Sequence, residues 1–188
     1  MIKNSKNYFH YFDEEIYLRP LSTADLDGAW IKWMNDPEVT RFTRGFYPAT
    51  RSSQNEYINS LINNSEDVAL AIVTTSDDRH IGNIGLHKIH PINRTANMGM
   101  LLGEKNYWGR GYATKCWSIM SGYGFNVLNL NKVCMSINSE NIASIKSAER
   151  AGFKLEGRLI QQVFKGGVYQ DELKYGLLKK DWNDTNKK

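Results

Sequence analysis

With 188 residues, 41% of them hydrophobic and 23% charged, the chain has the size and composition of one folded domain and none of the bias of a fibrous or low-complexity protein. Its formal net charge of +4 permits attraction to anions without choosing among nucleic acid, membrane and a phosphorylated cofactor. The charges are dispersed, no apolar run approaches the roughly 18 residues a bilayer span needs, and the N-terminus is too polar for a signal-peptide core. Neither nucleic acid nor a membrane is expected as a partner. A cytoplasmic location is the expectation, and two lone cysteines, Cys116 and Cys134, fit a reducing compartment as buried free thiols.

One domain is expected over 1–188, with its core over 16–182 and a loose arm over 1–14. The first strand is predicted over 16–19, closed by Pro20, which cannot donate to a ladder. Ser22 reads as an N-cap opening a helix over 27–34, whose apolar positions Leu26, Ala29, Trp30, Trp33 and Met34 recur at helical spacing. A linker over 39–47 is rich in arginine and aromatics, and a second helix follows over 51–63. Strands over 68–75 and 81–89 form a hairpin, with Gly82 and Gly85 marking a bulge or a close backbone approach. His87 and His90, three apart on a strand, project to opposite faces, so no metal site is expected.

The strand over 96–102 runs into Asn106-Tyr-Trp-Gly109-Arg110-Gly111-Tyr-Ala113. Gly109 and Gly111 let the turn take backbone angles that aim amides at an anion, and the helix that follows adds free N–H groups and its positive dipole end. A dinucleotide fingerprint would need a third glycine at Thr114, and a P-loop would need Gly-Lys followed by Ser or Thr; neither is present. Ala113, Cys116, Trp117, Met120 and Gly124 form one helix stripe, followed by a strand over 132–137. A helix over 141–150 ends at Gly152 as a left-handed terminator, and strands over 156–165 and 168–178 are joined by Gly166-Gly167. The order β-α-α-β-β-β-α-β-α-β-β implies an α+β domain with one mixed, largely antiparallel sheet.

The glycine stretch resembles the Q/R-x-x-G-x-G/A pyrophosphate loop of the GCN5-related N-acetyltransferase superfamily, and Asn141-Ile-Ala-Ser144 with Gly152-Phe153 resemble its N-x-x-S and terminal G-F. The resemblance implies a sheet of about seven strands flanked by helices, splayed between 98–102 and 132–137 to admit acetyl-CoA. It implies that the backbone of Met100, Leu101 and Leu102 bonds the pantetheine arm, and that Tyr107, Trp108, Gly109, Arg110, Gly111, Tyr112 and Ala113 hold the pyrophosphate. Asn141 would bond the arm, with Ser144 near the pyrophosphate or the thiolate. The reaction implied is direct attack of a primary amine on the thioester in a ternary complex, with a homodimer left open.

Three departures matter. Asn106 replaces Gln or Arg; Asn97 stands where many relatives carry an acidic residue; Ala148 stands where many carry a tyrosine acid. Ser144 is then the remaining proton donor, and Asp171, Glu172, His87 and His90 are the available bases, so Ser144, Asn97 and Asp171 form the candidate catalytic set. Asn97 and Ala148 also keep open a coenzyme-binding module without turnover. For the acceptor, the run over 30–41 resembles acetyltransferases that modify nucleotide-linked amino sugars, whose diphosphate Arg41 and Arg44 could receive, with His87 as a further acceptor contact. A protein N-terminus and a polyamine are the alternatives, although the linker over 39–47 lacks the carboxylates a polyamine would seek.

Overall fold

The computed structural model describes residues 13–43, 45 and 47–185, so the expected arm falls almost wholly outside the described residues. The chain forms β1 (Ile16–Pro20), a 3-10 turn (Thr23–Asp27), α1 (Trp30–Asn35), α2 (Arg51–Leu61), β2 (Val68–Thr74), β3 (His80–His90) and β4 (Thr95–Leu102). A short 3-10 turn (Lys105–Tyr107) leads to α3 (Tyr112–Asn126), then β5 (Lys132–Asn138), α4 (Ile142–Arg150), β6 (Lys154–Lys165), β7 (Val168–Leu178) and α5 (Lys179–Thr185). The seven strands make one sheet in the order β1-β2-β3-β4-β5-β7-β6, and every neighbouring pair is antiparallel except β4 and β5.

Strand alternation divides the apolar residues between two layers. Ala96 and Met98 of β4 join Cys116, Trp117, Met120 and Phe125 of α3 in the main core, with Met100 and Leu102 packed against it. Leu101, on the other face, packs against a second cluster built from Leu26, Trp30, Trp33, Val39 and Ile58. The periodicity located these helices, but two boundaries moved. The first helix divides into a 3-10 turn and a short α1, because Asp25 is drawn into a side-chain network, and residues beyond 178 continue as α5. The glycine terminators behave as expected: Gly152 has φ +92°, and Gly166 and Gly167 have φ +61° and +83° in the hairpin turn.

The network around Asp25 fixes α1 to the sheet. Arg19 of β1 donates twice to its carboxylate, at 2.9 and 2.5 Å, and the Ser22 N–H donates at 2.8 Å. His80 Nδ1 lies 3.5 Å from the same carboxylate. In the orientation that satisfies its neighbours, the Asn83 amide donates to His80 Nε2 at 2.8 Å and accepts from the Trp30 indole at 2.9 Å. Burial holds His80 below its ordinary value despite the Asn83 and Asp25 contacts, so the ring stays neutral at physiological pH.

Burial opposes ionisation of Asp25, but the Arg19 guanidinium and the Ser22 N–H outweigh it and hold the carboxyl below the usual carboxylate range. A depressed native value means that the stabilisation is fully present above the unfolded value of about 3.9 and drains away as pH falls through the native one. Asp25→Ala, which strands Arg19 and the Ser22 N–H, is expected to cost roughly 3 kcal/mol at pH 7. In urea melts, the gap between wild type and Asp25→Asn should narrow as pH drops below about 4.

Candidate active site

β4 pairs with β5 only over Thr95–Lys132, Ala96–Val133 and Asn97–Cys134. Beyond these three pairs β5 continues along β7 to Asn138 while β4 continues along β3 to Leu102. The sheet therefore opens between them from residue 98 of β4, as expected, but on the β5 side only from residue 135 rather than 132, because residues 132–134 still pair with β4. Along a strand, the N–H and C=O groups of successive residues point to alternate sides. Arg94 O accepts from Asn131 and Lys132 on the β5 side, whereas the Gly103 N–H donates to Ile81 O of β3. The even residues, Met98, Met100 and Leu102, thus turn their backbone groups toward β5 and the opening, with Met98 beside the last pair and Met100 within the parted stretch. Leu101 presents its own to β3, which corrects its expected role as a pantetheine contact. The Trp108 indole donates to Leu102 O at 2.7 Å, a contact that sequence patterning gave no means to foresee.

At the end of the opening, Gly109 and Gly111 both adopt positive φ, +72° and +86°. A Cβ at either would meet no atom within 4 Å, so it is the positive φ and not crowding that calls for glycine there. No side chain caps α3, which leaves the N–H groups of Tyr112 and Ala113 in its first turn available to an anion. The loop is braced by aromatic contacts: Tyr107 packs edge-on to Tyr112 at 5.5 Å, and the Arg110 guanidinium lies 5.9 Å from the Tyr107 ring centre. Lys115 is turned away toward the arm, ion-paired with Asp13 and Glu15.

On the far side of the opening stands α4. Asn141 Oδ1 accepts from the Ser144 N–H at 3.2 Å, so Asn141 is the helix cap and only its amide N–H groups remain for a ligand. The Ser144 hydroxyl is half-buried and has no hydrogen-bond partner among the described residues. Ser147 is committed elsewhere, accepting from the Trp117 indole and donating to Ser144 O. Ala148 is fully buried within the main core, where a tyrosine ring would displace packed side chains. Its absence as a proton donor is thus a packing requirement of this chain.

A cavity of about 340 Å³ lies on the α1/α2 face of the sheet, directly behind the open edge of β4. Trp30 and Met34 of α1 and Gln54 and Tyr57 of α2 wall it, and Gly85 and His87 of β3 with Gly99 of β4 floor it. Gly85 and Gly99 are paired across the two strands. The His87 ring occupies the space they leave: a Cβ on Gly85 would stand 2.7 Å from His87 Nε2, and one on Gly99 would stand 4.0 Å from it. His87 Nδ1 meets Asp67 Oδ1 at 3.1 Å. Burial, then the charge of Asp67, pushes the Tyr57 phenol up to about 12, so it remains protonated. Asp67, which lies just before β2, is a site residue that sequence reasoning missed, since nothing local distinguishes it from a loop carboxylate.

The remaining candidates are dispersed. Asn97 is exposed, between His87 of β3 and Cys134 of β5, and carries no proton-accepting group. Asp171 accepts from the Gln161 N–H at 2.7 Å and pairs with Arg158, and these contacts hold its carboxyl below the usual range. A depressed carboxylate is a weak base, so Asp171 serves the β6–β7 hairpin. Arg41 does not line the cavity; its guanidinium stacks on Phe42 at 5.0 Å, and Arg44 lies outside the described residues. No group of three or more His, Cys, Asp or Glu residues able to hold a metal ion occurs among the described residues.

An α+β sheet that parts beside a glycine loop and an uncapped helix start, with a cavity behind the parting, defines an acyl-coenzyme A-dependent transferase. The chain matches the acetyltransferase (GNAT) domain family over residues 15–154 and belongs to it. It is 31% identical over 175 residues to an uncharacterized N-acetyltransferase, p20, of Bacillus licheniformis, covering 91% of this chain and 97% of that one. Over 102 residues, 54% of each protein, it is 30% identical to spermidine N(1)-acetyltransferase of Escherichia coli strain K12. In structure it resembles spermidine N-acetyltransferase from Vibrio cholerae in complex with CoA and spermine, with a TM-score of 0.84 at 23% identity, covering 91% of this chain and 99% of that one. The chain is an N-acetyltransferase with acetyl-CoA as its donor. Among the described residues no helix is long and apolar enough to cross a membrane.

Gly111→Val sets a β-branched side chain at φ +86°, which turns the loop amides away from an anion. Acetyl-CoA affinity should fall by about 100-fold or more by calorimetry while the protein still melts cooperatively. Ser144→Ala should lower kcat by roughly 10-fold or more with acetyl-CoA affinity nearly unchanged, as expected of a proton donor and not of a binding contact.

Proposed function

We propose that the chain acetylates a terminal primary amine of a linear polyamine. The observation that carries this reading is the cavity lining: aromatic and apolar walls from Trp30, Met34, Tyr57 and Leu101, and no arginine or lysine. An extended alkylamine buries its methylenes against such walls, and its ammonium groups gain from the faces of Trp30 and Tyr57. Asp67, behind His87, supplies the negative charge that the linker over 39–47 lacks. The named relatives from Escherichia coli and Vibrio cholerae, which are spermidine acetyltransferases, support the same acceptor class. A nucleotide-linked amino sugar would bring a diphosphate into a cavity without a cationic side chain. The arginines expected to receive it are stacked away, as with Arg41, or undescribed, as with Arg44. That acceptor is therefore set aside in favour of the polyamine.

The test is a panel of spermidine, 1,4-diaminobutane, a uridine-diphosphate 4-amino sugar and a peptide with a free N-terminal serine, read by release of coenzyme A. Spermidine should give a kcat/KM at least about tenfold above the sugar and the peptide, the discrimination expected of an apolar slot. A preference for the sugar or the peptide refutes the polyamine reading and identifies the acceptor class instead.

A further inference from the structure

We propose that His87 is the general base of the reaction and that Asp67 is its positioning residue. The inference rests on the amine chemistry of the family and not on which amine is acetylated. His87 Nδ1 meets Asp67 Oδ1 at 3.1 Å, and an ionised carboxylate can only accept, so Nδ1 carries the proton and Nε2 keeps a free lone pair. Asp67 is itself held in place: its Oδ1 accepts from the Lys88 N–H at 3.2 Å, its Oδ2 from the Asn64 amide at 3.3 Å, and its own N–H donates to Asn64 Oδ1 at 3.1 Å. The free nitrogen lies over the Gly85–Gly99 pair on the cavity floor, one strand from the unpaired edge of β4. Any side chain at Gly85 would strike the ring, so the glycine pair makes the seat for the imidazole.

Among the described residues no other group in the neighbourhood suits the task. Of the cavity-lining residues only His87 and Tyr57 are ionisable, and the Tyr57 phenol is held protonated. The walls from α1 and β4 contribute Trp30, Met34, Gly99 and Leu101 there, and α2 adds neutral Gln54. Asp171 is committed to Arg158. The His87 and Asp67 side chains are 36% and 34% exposed, open enough to pass a proton to water and covered enough to keep their geometry. The amine arrives as R–NH3⁺. His87 Nε2 takes one proton and returns it to solvent; the neutral nitrogen forms the new N–C bond at the thioester carbonyl as the C–S bond breaks. The second proton leaves the nitrogen for His87 Nε2, which the first transfer to solvent has left neutral again, and the thiolate becomes a thiol by a proton passed through the Ser144 hydroxyl, which recovers its own from water.

The experiment uses the full chain. His87→Gln should lower kcat with spermidine by about 100-fold or more and abolish the acidic limb of the kcat/KM profile, with acetyl-CoA affinity unchanged. Asp67→Asn should lower kcat by about 10-fold or more with little change in KM, because the base is misdirected and not removed. Imidazole ¹⁵N NMR at pH 8 should show His87 as the Nδ1–H tautomer in wild type and a mixture of tautomers in Asp67→Asn. Where another amine of the panel is the one acetylated, the variants are assayed with that amine, so a wrong acceptor and a wrong base give different results. An unchanged pH profile in His87→Gln, or an Nε2–H tautomer in wild type, overturns the proposal whichever amine is acetylated.

Discussion

The loss of pairing between β4 and β5 after Asn97 and Cys134 is the constraint from which the rest of the site follows. Backbone N–H and C=O groups on a parted strand must find partners or water, and here Met100 and its even neighbours turn theirs toward the opening as a ladder edge inside the protein. A ligand arm with its own amides can complete that ladder as a missing strand would. The Trp108 indole on Leu102 O shows that one of these acceptors attracts a donor from the chain itself. Parting is sustained because each strand keeps its other neighbour, β4 with β3 and β5 with β7, and because α3 and α4 cover the same face.

Two apolar clusters on opposite faces of the sheet then divide the labour. The main core, with α3 and α4, sets the glycine loop and Ser144 around the opening. The second cluster, with α1 and α2, leaves the cavity behind it. The two meet at β4, where alternation sends Met98 and Met100 to one face and Gly99 and Leu101 to the other. The short α1 could wander without an anchor, and the chain of Arg19, Asp25, His80, Asn83 and Trp30 supplies one by satisfying every member of a buried polar set. The tip of the β6–β7 hairpin adds a tether from outside, where Lys165 donates to the carbonyls of Thr43 and Gly45 in the linker.

In the proposed mechanism, proton handling does not fall to the acidic and phenolic groups that the family resemblance implies. A buried Ala148 excludes a phenol from the core, and Asn97 provides no carboxylate. The proposed donor is the Ser144 hydroxyl of α4, on one wall of the opening, and the proposed base is the His87 imidazole of β3, on the floor of the cavity on the other face of the sheet. Such a placement would suit a transfer from ammonium to thiolate, because the proton enters and leaves at different atoms.

The amino-acid sequence by itself determined the elements and the glycine loop with its helix start. Both depend on short-range spacing: the 3.6- and 2-residue periodicities, the two glycines that accept positive φ, and the Asn141 cap three residues before Ser144. Leu101 was misassigned because strand alternation points its backbone to β3, a matter of pairing and not of composition. The arginines of the linker suggested a diphosphate because sequence reveals charge but not where a guanidinium stacks. Asp67, Tyr57 and His87 lie on three separate elements, and Gly85 and Gly99 on two strands. Only tertiary pairing brings a loop carboxylate 20 residues from its histidine to within hydrogen-bonding reach, and seats the ring on two glycines that face each other across β3 and β4. Contacts of that kind depend on register and on which face a helix covers, and a single sequence carries no record of either.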